Sequence, residues 1–352
     1  MPQVSIIILN WNGKKDTYEC IKSIYKSSFT DFEIVLVDNN SSDSSVEFFK
    51  RKFPKTKFLN LNIVENPYNA GLAEGMNIGI RNAKCQLICL LGNDTIVDSA
   101  WLTELVSAIK SKNNIGIVGS CIKNLTGYDG KETCGEIINV FFQVIDVKKS
   151  NSETSYASLT SMLFKREIFE IAPFIPEYFG NYEDVYVSIL ARLKGYKVEI
   201  TPKSHLLHKG GVSVSKVPTL MEFHMEKNAI LTFFILYQSA TIIKLLPVFI
   251  LLNLSALTVS IFRGRLYNKL RSYIWVINNY SVILKYRRIV EKQRRINDSD
   301  LIRECMSYNL PINGRVGKFL SKIFRVYLLL MGIKTRELKA EDIQEQKAKV
   351  RL

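Results

Sequence analysis

Apolar residues fall in short unbroken runs in the first half of the chain and in long ones after Met225. Val4–Leu9, Glu33–Val37 and Leu87–Leu91 are compact and rich in β-branched residues, the pattern of strands buried on both faces. Lys57–Val64 and Ile115–Ile122 add two further strands. Lys15–Tyr25, Ser44–Lys52 and the stretch "ENPYNAGLAEGMNIGIRNA" read as helices between them. Strands alternating with helices predict an α/β fold with a mainly parallel sheet. Polar clusters follow the strand ends: Asn10–Asn12, Asp38–Ser42, Asn66–Asn69 and Asn93–Thr95. Ligands of such sheets bind beyond the carboxyl ends of the strands, so the clusters are expected to converge on one rim.

The middle of the chain is less regular. Glu136–Val147 and Tyr156–Phe164 read as strands of an irregular subdomain. Val185, Ile189 and Leu193 recur at helical spacing within Tyr182–Lys194. Lys197–Ile200 is a short strand, and "TPKSHLLHKGGVS" after it reads as a loop. Ala229–Ile243 is nearly apolar, Lys244 interrupts, and Leu245–Phe262 is apolar again. Each piece is marginal against the roughly 20 residues a membrane-spanning helix needs. The predicted organisation is a first domain over 1–225, an apolar helical segment over 226–262 and a helical tail over 263–352. The first apolar run starts almost at the N-terminus with no basic segment before it, which reads as a strand rather than a signal peptide.

Charge sharpens this division. From Arg263 to Leu352 there are 21 Lys/Arg and 8 Asp/Glu, leaving 27 and 25 for everything before. The first part is nearly neutral and the tail strongly basic, suited to nucleic acid or an anionic membrane face. In the tail, Arg and Lys interleave with Tyr, Trp, Ile and Leu, the composition of a helix lying on a membrane. The six cysteines show no C-x-x-C spacing and read as reduced, mostly buried thiols in a cytosolic setting, with no zinc site expected.

Several residues could carry chemistry. Asp94 stands at the mouth of a buried strand, while Asp98 and Ser99 already supply caps for the following helix. A carboxylate so placed could hold a divalent cation against a diphosphate, or simply shape a turn. Asp38 could accept hydrogen bonds from a ribose or base, or serve turn chemistry. Glu183 and Asp184 open a helix, where acidic residues can simply complement the dipole, or where the dipole keeps ionised the carboxylate a general base requires. His208, one of three histidines, lies in a glycine-flanked stretch poorly suited to a core role.

In this order the motifs "ILNWN", "VDNNSSDSS", "ENPYNAGLAEGMNIGI", "LLGNDTIV…WL", "YFGNYEDVYVSILARLKGYKV" and "PKSHLLHKGG" resemble the family 2 glycosyltransferases, in particular a rhamnosyltransferase-like branch. The resemblance covers roughly the first 215 residues. It implies an α/β GT-A nucleotide-sugar-binding fold with a mainly parallel central sheet, followed here by C-terminal apolar and amphipathic helices. It implies nucleotide-sugar binding by Asn10, Asn12, Asp38, Asn39, Asn69, Gly71, Asn77, Asn93 and Asp94. It further implies a divalent cation (Mn2+ or Mg2+) held by Asp94 and His208, and catalysis by Asp184 with Glu183 beside it. The sequence departs from the family pattern at three points. The first acidic position of a full D-x-D is not acidic, Tyr186 stands where a second Asp often follows the "ED" pair, and the usual Arg-Asn reads Lys227-Asn228.

The resulting expectation is an inverting hexosyltransferase. A hydroxyl of a lipid-linked glycan would attack a UDP- or dTDP-linked sugar at the cytoplasmic face of the membrane. The expected partners are the donor, the acceptor and an anionic membrane surface, with a second copy of the chain able to pair through the C-terminal helices. The rival class is a binding protein for nucleic acid or an anionic surface, with a basic arm and an inactive fold. No helix-turn-helix, zinc or oligonucleotide-binding signature accompanies the charge, which argues against nucleic acid. A nucleotidyltransferase is disfavoured because "NWNGKK" makes a poor triphosphate loop.

Overall fold

The computed structural model describes residues 2–125, 132–145, 154–169, 173–210, 217–312 and 314–338. They fall into two compact units, one drawn from 1–135, 150–191 and 196–217, the other from 136–149, 192–195 and 218–352.

The first unit begins β1 (Val4–Asn10), α1 (Lys14–Ile24), β2 (Phe32–Asp38), α2 (Ser45–Lys52), β3 (Leu61–Glu65), α3 (Gly71–Asn82) and β4 (Leu87–Leu91). It continues with β5 (Thr95–Val97), α4 (Trp101–Lys110), β6 (Ile115–Asn124) and β7 (Glu132–Thr133). The second unit takes β8 (Ile137–Asn139) and β9 (Val144–Ile145). β10 (Ser161–Lys165), most of α5 (Glu183–Leu193) and β11 (Lys197–His208) return to the first. The sheet order is β3-β2-β1-β4-β10-β6-β11-β5, with β7 paired to β6. β1, β2, β3 and β4 run parallel, as do β6 and β11, while β10 is antiparallel to β4 and β6, and β5 is antiparallel to β11. This is the mainly parallel α/β sheet the alternating runs predict.

The continuous apolar runs are buried on both faces. Ile6, Ile8, Ile34, Leu36, Cys89 and Leu91 pack with Ile21, Phe49, Trp101 and Leu105 from the helices. The glycines of the α3 motif have a steric cause. A Cβ at Gly75 would stand 2.6 Å from a Leu9 methyl, and one at Gly79 would collide with Ile7. Recurring every four residues, they let one face of α3 settle directly on β1. A buried chain of hydroxyls joins α4 to three strands. Trp101 Nε1 donates to Ser161 Oγ (2.9 Å), which meets Ser120 Oγ (2.7 Å), which meets Ser204 Oγ (2.8 Å).

Two readings need correction. The stretch after Ile200 is not a loop, because β11 continues to His208. A register irregularity between Thr201 and His205 takes up Pro202, which has no N–H to give, and pairing with β6 then resumes. The cysteines are not all reduced. Cys121 and Cys134 form a disulfide, while Cys20, Cys85, Cys89 and Cys305 are buried thiols. The antiparallel pairing of β6 with β7 brings the two cysteines together, a long-range event that linear spacing does not report.

The second unit holds α6 (Pro218–Leu236), α7 (Ser239–Phe262), α8 (Leu266–Asn278), α9 (Tyr280–Gln293), α10 (Asp298–Cys305), β12 (Met306–Ser307) and α11 (Gly314–Leu330). The two apolar runs have different fates. Leu231, Phe233, Ile235 and Leu236 of α6 are core residues, and Phe233 stacks on Phe249 at 4.2 Å. Lys227 is itself buried, with its ammonium 4.4 Å over the Trp275 ring. In contrast, α7 buries Leu245 alone among its residues. Among the described residues it is the one helix long and apolar enough to cross a membrane, judged by length and composition.

Candidate active site

The carboxyl ends of β1, β2 and β4 carry the predicted polar clusters, and the structure ties them together. Asn10 and Asp38 are cross-strand neighbours. Asn10 Nδ2 donates to Asp38 Oδ1 (2.7 Å) and Ser41 Oγ (3.0 Å), and Ser41 N donates to Asp38 Oδ2 (2.9 Å). Asp38 is nearly fully buried, so these donors compensate the desolvation of its charge. Asn12 sits at φ 52°, a left-handed conformation that asparagine tolerates. It locks onto the same loop by receiving Ser42 N at 2.7 Å.

Asn39 is the hub of the second cluster. It donates to Asn69 Oδ1 (2.8 Å) and the Gly71 carbonyl (3.1 Å), and accepts from Asn66 Nδ2 and Ala70 N (both 3.0 Å). Its hydrogen-bonding capacity is thus spent on shaping the loop. Gly71 has φ +75°, and Leu72 N donates to the Phe179 carbonyl at 2.5 Å. Asn77 is fully buried on α3 and exchanges hydrogen bonds with the backbone of Phe174 at 2.9 and 3.1 Å. These asparagines position the rim and its approach.

At the end of β4, Asn93 Nδ2 donates to Thr17 Oγ1 at 2.9 Å. Asp94 follows and is mostly buried. The antiparallel pairing of β5 with β11 sets His208 opposite Thr95. His208 Nε2 lies 3.3 Å from Asp94 Oδ1, and its Nδ1 lies 2.8 Å from Asn124 Oδ1. An amide oxygen only accepts, so Nδ1 carries the proton and the Nε2 lone pair faces the carboxylate in the neutral ring. Two acceptors facing each other at this distance form a donor set for a cation. Neighbouring ligands on a sphere of about 2.1 Å stand about 3 Å apart. The residues present therefore fit a divalent ion, and Asn124 orients the histidine from behind.

Asp184, in the first turn of α5, is partly exposed and accepts from Val185 N at 2.9 Å. Burial pushes its carboxyl up from the ordinary carboxylate range to about 6, against the backbone N–H groups of Val185 and Leu159, which stabilise the ionised form. The Leu159 contact connects it to the Asp94–His208 corner. The next residue, Thr160, accepts from Gly92 N at 3.0 Å, two residues before Asp94. Glu183 beside it is buried. Sequence pattern places Ser41 in the Asp38–Ser42 cluster but did not reveal Thr17, Asn124 or Leu159. Asn124 closes an apolar run and signals nothing until β6 is paired with β11. The Leu159 contribution is a backbone N–H, which no side-chain motif encodes.

Residues 5–171 match the model of Glycosyl transferase family 2, which bears out over that span the resemblance to the family, though not to a particular branch of it. The chain is 27% identical over 216 residues to the GalNAc(5)-diNAcBac-PP-undecaprenol beta-1,3-glucosyltransferase of Campylobacter jejuni, covering 59% of this chain and 63% of that one. It is 22% identical to the poly-beta-1,6-N-acetyl-D-glucosamine synthase of Staphylococcus epidermidis, covering 57% and 48%. The chain thus spans less than two thirds of these relatives' lengths. Two solved structures share the fold. One is GalNAc-T7 with UDP, GalNAc and Mn2+ (TM-score 0.53, 17% identity, 68% of this chain and 49% of that one). The other is the mannosyltransferase PcManGT of Pyrobaculum calidifontis with GDP-Man and Mn2+ (TM-score 0.50, 14% identity, 94% and 86%). The first unit therefore has the GT-A fold.

Proposed function

We propose, with the family 2 match over residues 5–171 as premise, that this chain is an inverting glycosyltransferase of the hexosyltransferase class. In this reading it moves a sugar from a UDP- or dTDP-linked donor to a hydroxyl of a lipid-linked glycan at the cytoplasmic face of a membrane. The observation that carries the reading is the Asp94–His208 pair at 3.3 Å, joined through Thr160 and Leu159 to the raised carboxyl of Asp184. One corner is built to receive a cation and the other to accept a proton.

The chemistry follows from the placement. The buried Asn10–Asp38–Ser41 group holds the rim that receives the nucleoside, and the Asn39–Asn69–Gly71 loop holds the approach for the sugar. A divalent ion bound at Asp94 and His208 would neutralise charge building on the leaving diphosphate. Asp184 accepts the proton of the attacking hydroxyl, and a carboxyl titrating near 6 is ionised at neutral pH yet more basic than an ordinary aspartate. A single displacement of this kind inverts the anomeric carbon.

Membrane association rests on the second unit. Leu251, Leu254 and Phe262 of α7 are exposed, as are Val316, Phe319, Ile323 and Val326 of α11. Arg315, Lys318, Lys322 and Arg325 interleave with the α11 residues. Apolar faces bordered by Lys and Arg suit an anionic leaflet, near which each basic residue contributes about 1 kcal/mol. The Campylobacter relative's name denotes an undecaprenol-linked acceptor, in keeping with a substrate held at the bilayer.

Calorimetric titration with UDP, dTDP and GDP, with and without Mn2+, tests the site. Mn2+-dependent binding of one nucleotide, lost in Asp94→Ala, is the expected result and names the donor class. Folded protein that binds none of them overturns the proposal.

A further inference from the structure

A second group of ligating side chains lies outside this site, on the β6–β7–β11 corner. Cys121 is on β6, and His205 is its cross-strand neighbour on β11. β7 pairs with β6 so that Thr133 faces Ile122 and Glu132 faces Lys123. Side chains alternate along a strand and paired residues share a face. Cys121 and Lys123 therefore share one face of the sheet with Glu132 and His205. Cys134, two residues beyond Glu132, arrives on that face and is bonded to Cys121. The Cys121 sulfur, a Glu132 carboxylate oxygen and a His205 ring nitrogen all lie within 4.8 Å of one another. His205 Nδ1 is 2.7 Å from Glu132 Oε1.

We infer that Cys121, Cys134, His205 and Glu132 form a redox-gated site for one zinc-type ion, empty as the disulfide and competent as the dithiol. The residue types support the assignment. Two thiolates, an imidazole and a carboxylate are the donors a tetrahedral zinc site uses. The disulfide explains the cysteines alone. It does not require a His–Glu pair beside the sulfurs, and a half-exposed pair of that kind contributes little to stability. Access is open, because Glu132 and His205 are both partly exposed.

The transition balances simply. A small dithiol reductant supplies two electrons and two protons, breaks the Cys121–Cys134 bond and is itself oxidised to a disulfide. The sulfurs then separate to about 3.8 Å, the spacing of two thiolates on a tetrahedral ion with bonds of about 2.3 Å. Metal binding displaces the two thiol protons to solvent. The other four cysteines do not compete. Burial raises all their thiols, Cys20 to about 12 and Cys305 to about 11, and they remain protonated.

Cobalt(II) titration of the whole 352-residue chain, before and after reduction and removal of the reductant, tests the site. Thiolate-to-cobalt charge-transfer absorption reports sulfur ligands and is blind to cobalt bound at Asp94 and His208. The expected result is one equivalent of such absorption in the reduced protein, none in the oxidised protein, and displacement by Zn2+. His205→Ala changes a partly exposed side chain and leaves both cysteines in place. It should weaken cobalt binding by more than the roughly 10- to 100-fold that loss of an outer-sphere partner costs. Reduced protein without the absorption overturns the inference, as does an affinity unchanged in His205→Ala.

Discussion

Asp94 and His208 meet across the sheet at 3.3 Å because β11 runs on past its irregularity to pair with β5, carrying the imidazole to the end of β4. Asn124 fixes that imidazole by accepting a hydrogen bond from its Nδ1, the two atoms 2.8 Å apart. Asp94→Ala should abolish Mn2+-dependent nucleotide binding. Asn124→Ala should leave the ligands in place but weaken Mn2+ about 10- to 100-fold, the usual cost of losing an outer-sphere partner. Calorimetric Mn2+ affinity in the presence of nucleotide checks both. Unchanged affinity in Asn124→Ala would show that Asn124 does not orient a metal-bound histidine.

Asp184 gives a pH dependence of definite sign. Its carboxyl titrates near 6 in the folded chain, above its ordinary 3.8. Transfer should therefore rise with pH through about 6 and level off above it. Asp184→Asn should reduce turnover by about 10²- to 10⁴-fold with nucleotide affinity nearly unchanged. The folded state binds the extra proton between about pH 4 and 6, so this group's contribution to stability is full below pH 4 and is lost as pH rises through 6. Asp184→Asn should thus melt no lower than the parent at pH 7.5 and lose part of the parent's gain on acidification. Melting curves across pH and a single-turnover pH profile together test the assignment.

Gly71 links the Asn39–Asn69 loop to the segment that leads into α5 and Asp184. At φ +75° an added Cβ costs about 1–2 kcal/mol in backbone strain. It would also stand 2.5 Å from the Phe179 ring and 2.6 Å from its carbonyl oxygen. Gly71→Ala should lower stability by about 2–5 kcal/mol, combining strain and overpacking. The denaturation midpoint should fall at unchanged slope. Because Phe179 precedes α5, turnover should fall as well.

The strands of the first unit are legible because burial on both faces leaves unbroken apolar runs. Leu87–Leu91 is found as written, and Val4–Leu9, Glu33–Val37, Lys57–Val64 and Ile115–Ile122 shift by a few residues at their ends, whereas the short strands β5 and β7 have no counterpart in the sequence pattern. The polar rim is legible for the same reason, since Asn10, Asp38, Asn39 and Asp94 interrupt those runs. Long-range pairing is not. "KSHLLH" has the polarity of a loop and becomes a strand once β6 and β5 flank it. The partnership of Cys121 with Cys134, and of His208 with Asn124, depends on the same register. Local composition also cannot separate the two apolar runs, because α6 is buried by α8 and α9 whereas α7 is not.

That contrast gives the last prediction. α7 spans 24 residues, about 36 Å at 1.5 Å per residue, enough to cross a hydrocarbon core of about 30 Å. Leu251 and Leu254 are 62% and 56% exposed near its centre. A Lys at the middle of an inserted helix costs about 2.5–3.5 kcal/mol. Leu251→Lys with Leu254→Lys should therefore release most of the protein from vesicles containing anionic lipid in a sedimentation assay. The same pair should leave melting temperature and nucleotide affinity nearly unchanged, because neither side chain packs in the core. If the double variant stays with the vesicles, α7 is not the anchor and the basic, apolar-faced helices that follow it hold the chain. If the parent is instead a soluble dimer without detergent and the double variant is monomeric, α7 is covered by a second copy and the membrane assignment fails.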